Sequence, residues 1–183
     1  AQKGNLPTEK LLRQTAASCV RPVWSLEVST RTASILPGAN RTVTVDAIAK
    51  GRVIDQAALA ALHVDGVDGV VVNIGGDIRA AGDAAVIVWI RSPQEQTTAI
   101  ATVELRKQAI ATSGGYERFF EINGQRFSHI IDPRTARSAG HSISVSVIAP
   151  TATAADAVAT ALNVMTIEDA LQWCESHDEY DCL

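Results

Sequence analysis

The sequence predicts an α+β fold, with antiparallel β-sheets in layers and helices packed on them. Three observations predict it. Strand-like and helix-like stretches mix without a regular βαβ alternation, which argues against a doubly wound parallel sheet. RFFEINGQRFSHII carries Asn123-Gly124, the preferred pair for a tight hairpin turn, between aromatic-rich flanks. TATAADAVATAL, by contrast, has the composition and spacing of a helix with a small-residue face. The chain has 183 residues, which predicts one domain over 1–183 with an ordinary core.

The elements follow in order. Thr8 is placed to cap a short helix carrying Leu11, Leu12 and Ala16. Val23 to Ser29 reads as a strand, Pro37 to Asn40 as a loop, and Thr42 to Asp46 as a short extended piece. From Ala47 the apolar spacing turns helical through Leu62, and Asp65, Gly66, Asp68 and Gly69 end the helix. GVVVNI reads as a buried strand running into Gly75-Gly76-Asp77. Ala84 to Ile90, Thr102 to Leu105 and Gln108 to Thr112 are extended, then comes the hairpin, then a strand over Ser142 to Ile148. Pro150 and Thr151 open a helix to about Val164, and a last helix covers Ile167 to Ser176.

Composition excludes several classes. The formal net charge is -4 and the basic residues are scattered, so no positive field for nucleic acid exists. No apolar run is long enough to span a membrane. No charged start followed by an apolar stretch marks a signal peptide at Ala1, as for any trimmed chain. Cys19, Cys174 and Cys182 lack zinc-finger spacing. Cys174 and Cys182 either pair in an oxidising compartment or stay as thiols.

Chemistry concentrates where apolar stretches end in small or polar residues: TVDAIAKG, VVNIGGDIR and IATSGGYERFF. Glycine pairs there serve either as ordinary turns or as close approaches for an anion. Neither a GxxxxGK[ST] nor a GxGxxG loop is present. Lys50, near a helix start, is either a solvated lysine or a partner for phosphate. Asp156 and Thr160 lie at i and i+4 on one face of a mostly apolar helix. They suit a hard cation such as magnesium, or else a helix-start acid and a back-bonded threonine. His129 is a strand histidine with either a structural or a catalytic role, and Asp132-Pro133 begins a turn.

Taken together, AIAKG, NIGGDIR, ATSGGYERFF, SHIIDPRT and VIAPTATAADAVATAL resemble, in this chain order, the ApbE-type FAD:protein FMN transferase family. The likeness runs from about Leu6 to Met165. It implies a flavin-transferase-like α+β fold. It also implies magnesium-dependent transfer of FMN from FAD onto a threonine or serine hydroxyl of an acceptor flavoprotein, with AMP leaving. An FAD-binding relative without turnover and a magnesium-dependent FAD pyrophosphatase are the alternatives. The family's usual setting implies a periplasmic or membrane-anchored place. Site residues carried by the motifs are Ala47 (through its carbonyl), Asp156 and Thr160 for the metal. Thr44, Lys50, Gly75, Gly76, Asp77, Ser113, Gly114, His129 and Ile130 fall at FAD-binding positions, with His129 and Asp132 at the transferred phosphate. The resemblance also implies a substantial N-terminal section with a flavin-stacking aromatic residue, which has no counterpart in these residues. Thr44 stands where the family usually has an aspartate, Asp46 where it has a small residue, and Ala136 where it has a glycine.

Overall fold

The computed structural model describes residues 5–19, 24–36, 44–95, 97–115, 119–140 and 142–183, and it shows helices with antiparallel sheets. Helix α1 (Glu9–Cys19) starts as predicted, with the Leu11 N–H donating to Thr8 Oγ1 at 3.3 Å. Strands β1 (Trp24–Glu27) and β2 (Thr32–Ile35) form a hairpin. The predicted strand to Ser29 stops short because the chain turns from Val28, with Arg31 in the left-handed region at φ 52°. The expected loop at Pro37 to Asn40 lies outside the described residues, as do Thr42 and Val43.

Helix α2 (Asp46–Leu62) begins one residue earlier than predicted. Asp46 is helical rather than extended, and its carboxylate in the first turn suits the positive end of the helix dipole. Strands β3 (Gly69–Ile74) and β4 (Asp77–Gly82) pair antiparallel across Gly75-Gly76, both at positive φ (60° and 93°), as a two-residue hairpin requires. The second of these strands was not predicted, since Asp77 and Arg79 obscure its apolar face.

Strands β5 (Ala85–Arg91) and β6 (Ala99–Arg106) form a longer hairpin than Thr102 to Leu105 suggested. Next come β7 (Ala109–Gly114) and the predicted hairpin of β8 (Phe119–Ile122) and β9 (Gln125–Ser128), with Asn123 and Gly124 both at positive φ. Two short strands, β10 (Ile131–Asp132) and β11 (Arg137–Ser138), close the DPRT turn. The chain ends with β12 (Ser144–Ala149), α3 (Ala152–Asn163), α4 (Ile167–Glu175) and β13 (Asp181–Cys182).

The largest sheet has the order β13-β12-β7-β4-β3. GVVVNI is therefore an edge strand with half-exposed and exposed side chains, not the buried strand its composition suggested. Side chains alternate across the sheet. On one face Ala109, Ala111, Val145, Val147 and Ala149 receive α2 and α3 through Ile54, Ala152, Ala155, Ala159 and Leu162. On the other, Ala80 and Ile110 pack against Val88, Ile90 and Leu105 of the β5–β6 hairpin. Alanine dominates the helix face, so the helices lie close to the sheet and to each other. Cys174 and Cys182 form a disulfide that ties α4 to β13, beside a stack of Trp173 on His177 at 4.0 Å.

Candidate functional site

The buried stripe of α2 is Gly51, Ile54, Asp55 and Ala58, and that of α3 is Ala152, Ala155, Asp156, Ala159, Leu162 and Asn163. Each stripe has helical i, i+3, i+4 spacing, and each carries one aspartate. A buried carboxylate needs donors. The two helices supply them reciprocally. The Gly51 N–H donates to Asp156 Oδ2 at 3.0 Å, and the Ala152 N–H donates to Asp55 Oδ1 at 2.9 Å. In an α-helix the Gly51 N–H points toward the Ala47 carbonyl, four residues back. Asp156 thus draws on the donor that this carbonyl would otherwise hold alone. Ala47 itself is exposed in the first turn of α2.

Asp77 enters the same space from β4. It is only 2 % exposed, and Lys50 Nζ lies 2.8 Å from its Oδ2. Oδ2 has no aligned hydrogen-bond donor among the described residues, so the ammonium is its ion-pair partner. Burial pushes the Asp77 carboxyl above the usual aspartate range; Lys50 opposes the rise and the Asp156 charge adds to it. Lys50 is the cation paired with Asp77, while the Asp156 charge disfavours a second carboxylate nearby. Thr160 Oγ1 stands beside them, 3.0 Å from Ser113 Oγ, and donates to the Asp156 carbonyl at 3.1 Å. Among the described residues no three His, Cys, Asp or Glu side chains cluster as metal ligands. Asp156 and Thr160, with the Ala47 carbonyl one helix away, nevertheless fit magnesium, which takes few protein ligands and keeps waters.

The glycine loops border an open groove of about 400 Å³ whose lining includes Gly75, Gly76, Asp77, Trp89 and Gly114. Helix α2 starts at Val45 without a side-chain cap, and Thr44 is exposed just ahead of it. Lys50, Asp77, Asp156, Thr160 and Ser113 are thus brought together. His129, Ile130 and Asp132 come from a separate segment. His129 is exposed at the end of β9. The Ile130 N–H donates to Ser128 Oγ at 3.1 Å, and the Ile130 carbonyl accepts from the Ala139 N–H at 2.8 Å. A Cβ on Gly115 would lie 2.8 Å from Ser128, so the TSGG loop runs against this strand end. Asp132 is buried and holds Arg134 through Nε at 2.9 Å and the second nitrogen at 3.1 Å. Arg134 also donates to the Val164 carbonyl, which closes α3, and so docks the DPRT turn on that helix.

A model of the ApbE family matches residues 1–183. The chain belongs to the ApbE family. It is 42% identical over 146 residues to an FAD:protein FMN transferase of Rhodobacter capsulatus, covering 76% of this chain and 28% of that protein. It is 35% identical over 134 residues to the FAD:protein FMN transferase of Escherichia coli K12, covering 70% of this chain and 38% of that one. Among solved structures, the ApbE protein of Thermotoga maritima superposes with a TM-score of 0.82 at 28% identity, over 98% of this chain and 59% of that one. The flavin transferase ApbE of Vibrio cholerae gives a TM-score of 0.72 at 29% identity, over 100% and 58%. The chain therefore spans between 28% and 59% of these relatives' lengths.

Within this ApbE-family site, sequence reasoning missed Asp55 and Arg79. Asp55 accepts from the Ala152 and Thr153 N–H groups, each at 2.9 Å, from Thr153 Oγ1 and from the Arg79 guanidinium. Burial alone would raise its carboxyl, but the donors from Thr153, Ala152 and Arg79 prevail and hold it below the usual value. The signal was present, because Asp55 follows Gly51 and Ile54 at i+4 and i+1 on the buried stripe of α2.

Proposed function

We propose that this chain carries the metal- and FAD-binding part of an FAD:protein FMN transferase. The supporting observation is the convergence of Lys50, Asp77, Asp156 and Thr160 beside the NIGGD and TSGG loops, in a chain whose relatives bear that activity. In the reaction, a threonine or serine Oγ of the acceptor attacks the FMN-side phosphorus of FAD. The bond from that phosphorus to the bridging oxygen breaks, and AMP departs with that oxygen. The hydroxyl proton passes to His129, the exposed base at the strand end. Asp132 fixes the turn that carries His129 by holding Arg134 on α3. Lys50 turns from Asp77 to the pyrophosphate, an electrostatic partner with more negative charge. Ala47, through its carbonyl, with Asp156 and Thr160 would hold magnesium, which would supply positive charge to the phosphate oxygens.

The disulfide between Cys174 and Cys182 supports an oxidising, periplasmic setting. The test is to incubate the full-length protein with FAD and magnesium, with and without an acceptor flavoprotein, and to measure AMP and protein-bound flavin. Covalent flavin with matching AMP is expected. Asp156→Ala should reduce both by at least roughly a hundredfold, as removal of a charged metal ligand does. AMP release undiminished in that variant would remove the metal assignment. AMP and FMN formed equally without acceptor would make the activity a pyrophosphatase.

A further inference from the structure

We propose that Asp55 is a positioning residue for the cation site, acting through the first turn of α3; this rests on the metal role given to Asp156 above. The accounting of that turn is complete. The Ala152 and Thr153 N–H groups donate to Asp55, the Ala154 N–H donates to Thr151 Oγ1 at 3.1 Å, and the Ala155 N–H donates to the Thr151 carbonyl at 3.0 Å. Thr151 takes only the Ala154 N–H with its side chain, so Asp55 completes the capping of this helix end from the neighbouring helix. Asp55 also sets the location of α3. It binds α3 to α2, on which it sits, and to β4, through Arg79. It also occupies the positive end of the α3 dipole with a carboxylate of this chain, so an external phosphate has no room there.

Asp156 stands one turn further along the same face of α3. Its carboxylate meets the Gly51 N–H only if α3 keeps its present height against α2. Gly51 shows how closely that height is set, since a Cβ there would lie 2.2 Å from the Ala152 carbonyl oxygen. Asp55 and Asp156 are therefore two ends of one exchange. Each accepts an N–H from the opposite helix, four residues before the other's position in sequence. Asp55 is only 5% exposed, with its oxygens taken up by α3 and Arg79. Its effect on chemistry passes through where it places Asp156 and the Ala47 carbonyl.

A purely structural Asp55 would change stability and nothing else, and metal affinity separates the two roles. Magnesium binding to the full-length protein, without FAD, is measured by calorimetry in wild type, Asp55→Asn, Thr153→Val and Ile54→Val. Thr153→Val removes one donor to Asp55 and keeps the fold testable should Asp55→Asn not fold; Ile54→Val is a core control that loosens packing beside the same helix. The magnesium dissociation constant should rise at least roughly tenfold in Asp55→Asn and less in Thr153→Val, as loss of a group supporting a metal ligand does. It should stay at the wild-type value in Ile54→Val. Wild-type affinity in folded Asp55→Asn and in Thr153→Val would overturn the inference. An equal rise in Ile54→Val would overturn it too, because loosened packing would then suffice. If wild type itself binds no magnesium, the metal assignment fails first and this inference falls with it.

Discussion

At the scale of single residues, the departures from the family pattern take on physical meaning. Ala136, where the family resemblance leads one to expect glycine, has a φ of 55°. The turn needs a left-handed residue because Ala136 N–H reaches back to the Asp132 carbonyl at 2.7 Å while the chain reverses from β10 into β11. Alanine adopts that conformation at a cost of about 1–2 kcal/mol in crowding between Cβ and backbone. Glycine removes the strain but loses more conformational freedom on folding. The balance favours glycine, so Ala136→Gly should stabilise the protein by roughly 0.5–1 kcal/mol, read as the shift in a urea transition. Destabilisation would mean that the Ala136 methyl packs usefully in the turn. Asp46, a second such departure, needs no such relief, since it begins α2 where a carboxylate is favourable.

At the scale of elements, the decisive contact is the crossing of α2 and α3. Intrinsic propensity favours alanine over glycine in a helix interior by about 1 kcal/mol. At Gly51 packing reverses that preference. A new Cβ would lie 2.2 Å from the Ala152 oxygen, 2.6 Å from its carbon and 2.8 Å from Thr153 Cα, all backbone atoms that cannot rotate away. Gly51→Ala should therefore destabilise by about 1–3 kcal/mol despite its better propensity, and a melting temperature equal to wild type would show that the crossing yields. The elements themselves were unequally legible. Helix α2 announced itself by its apolar period and the Asp-Gly residues that end it, α3 by its Pro150-Thr151 start, and the Asn123-Gly124 hairpin by its turn chemistry. Strand β4 did not, because its helix-facing positions hold Asp77 and Arg79, polar residues whose partners Lys50 and Asp55 lie elsewhere in the chain. GVVVNI misled in the opposite sense: its apolar run promised burial, but sheet order, which is non-local, leaves it at the edge. The site showed the same division. Asp156 and Thr160 were legible as an i, i+4 pair, whereas the exchange between Asp55 and Asp156 depends on a helix crossing that local spacing does not reveal.

At the scale of the whole molecule, stability and the candidate site draw on opposite ends of one sheet. The site lies where β3, β4 and β7 meet the starts of α2 and α3, while the disulfide closes the far edge, linking α4 to β13. That edge is thin. Strand β13 pairs with β12 at two positions, and Leu183 extends the ladder by exchanging bonds with Ser146 at 2.8 and 2.9 Å. So short a strand has little pairing of its own to hold it. The cross-link spans eight residues of sequence, a short loop whose closure limits the unfolded chain by roughly 2–3 kcal/mol. The edge also supports the core, since Cys182 and Tyr180 pack with Val145, Val147, Ala159 and Leu162. Substituting both cysteines, Cys174→Ser with Cys182→Ser, should lower stability by about that amount, measured by urea denaturation. FAD affinity below the unfolding transition should stay at the wild-type value, because the polar contacts described for Lys50 and Asp156 run to Asp77 and Gly51 and not to β13. Ser146 offers a polar route between the two ends: its hydroxyl lies 2.8 Å from Thr112 Oγ1, on the strand that carries Ser113 and Gly114. If the double variant weakens FAD binding while still folded, coupling passes along β12 and β7 through that hydroxyl pair. Thr112→Val in the cross-linked protein should then reproduce the weakening.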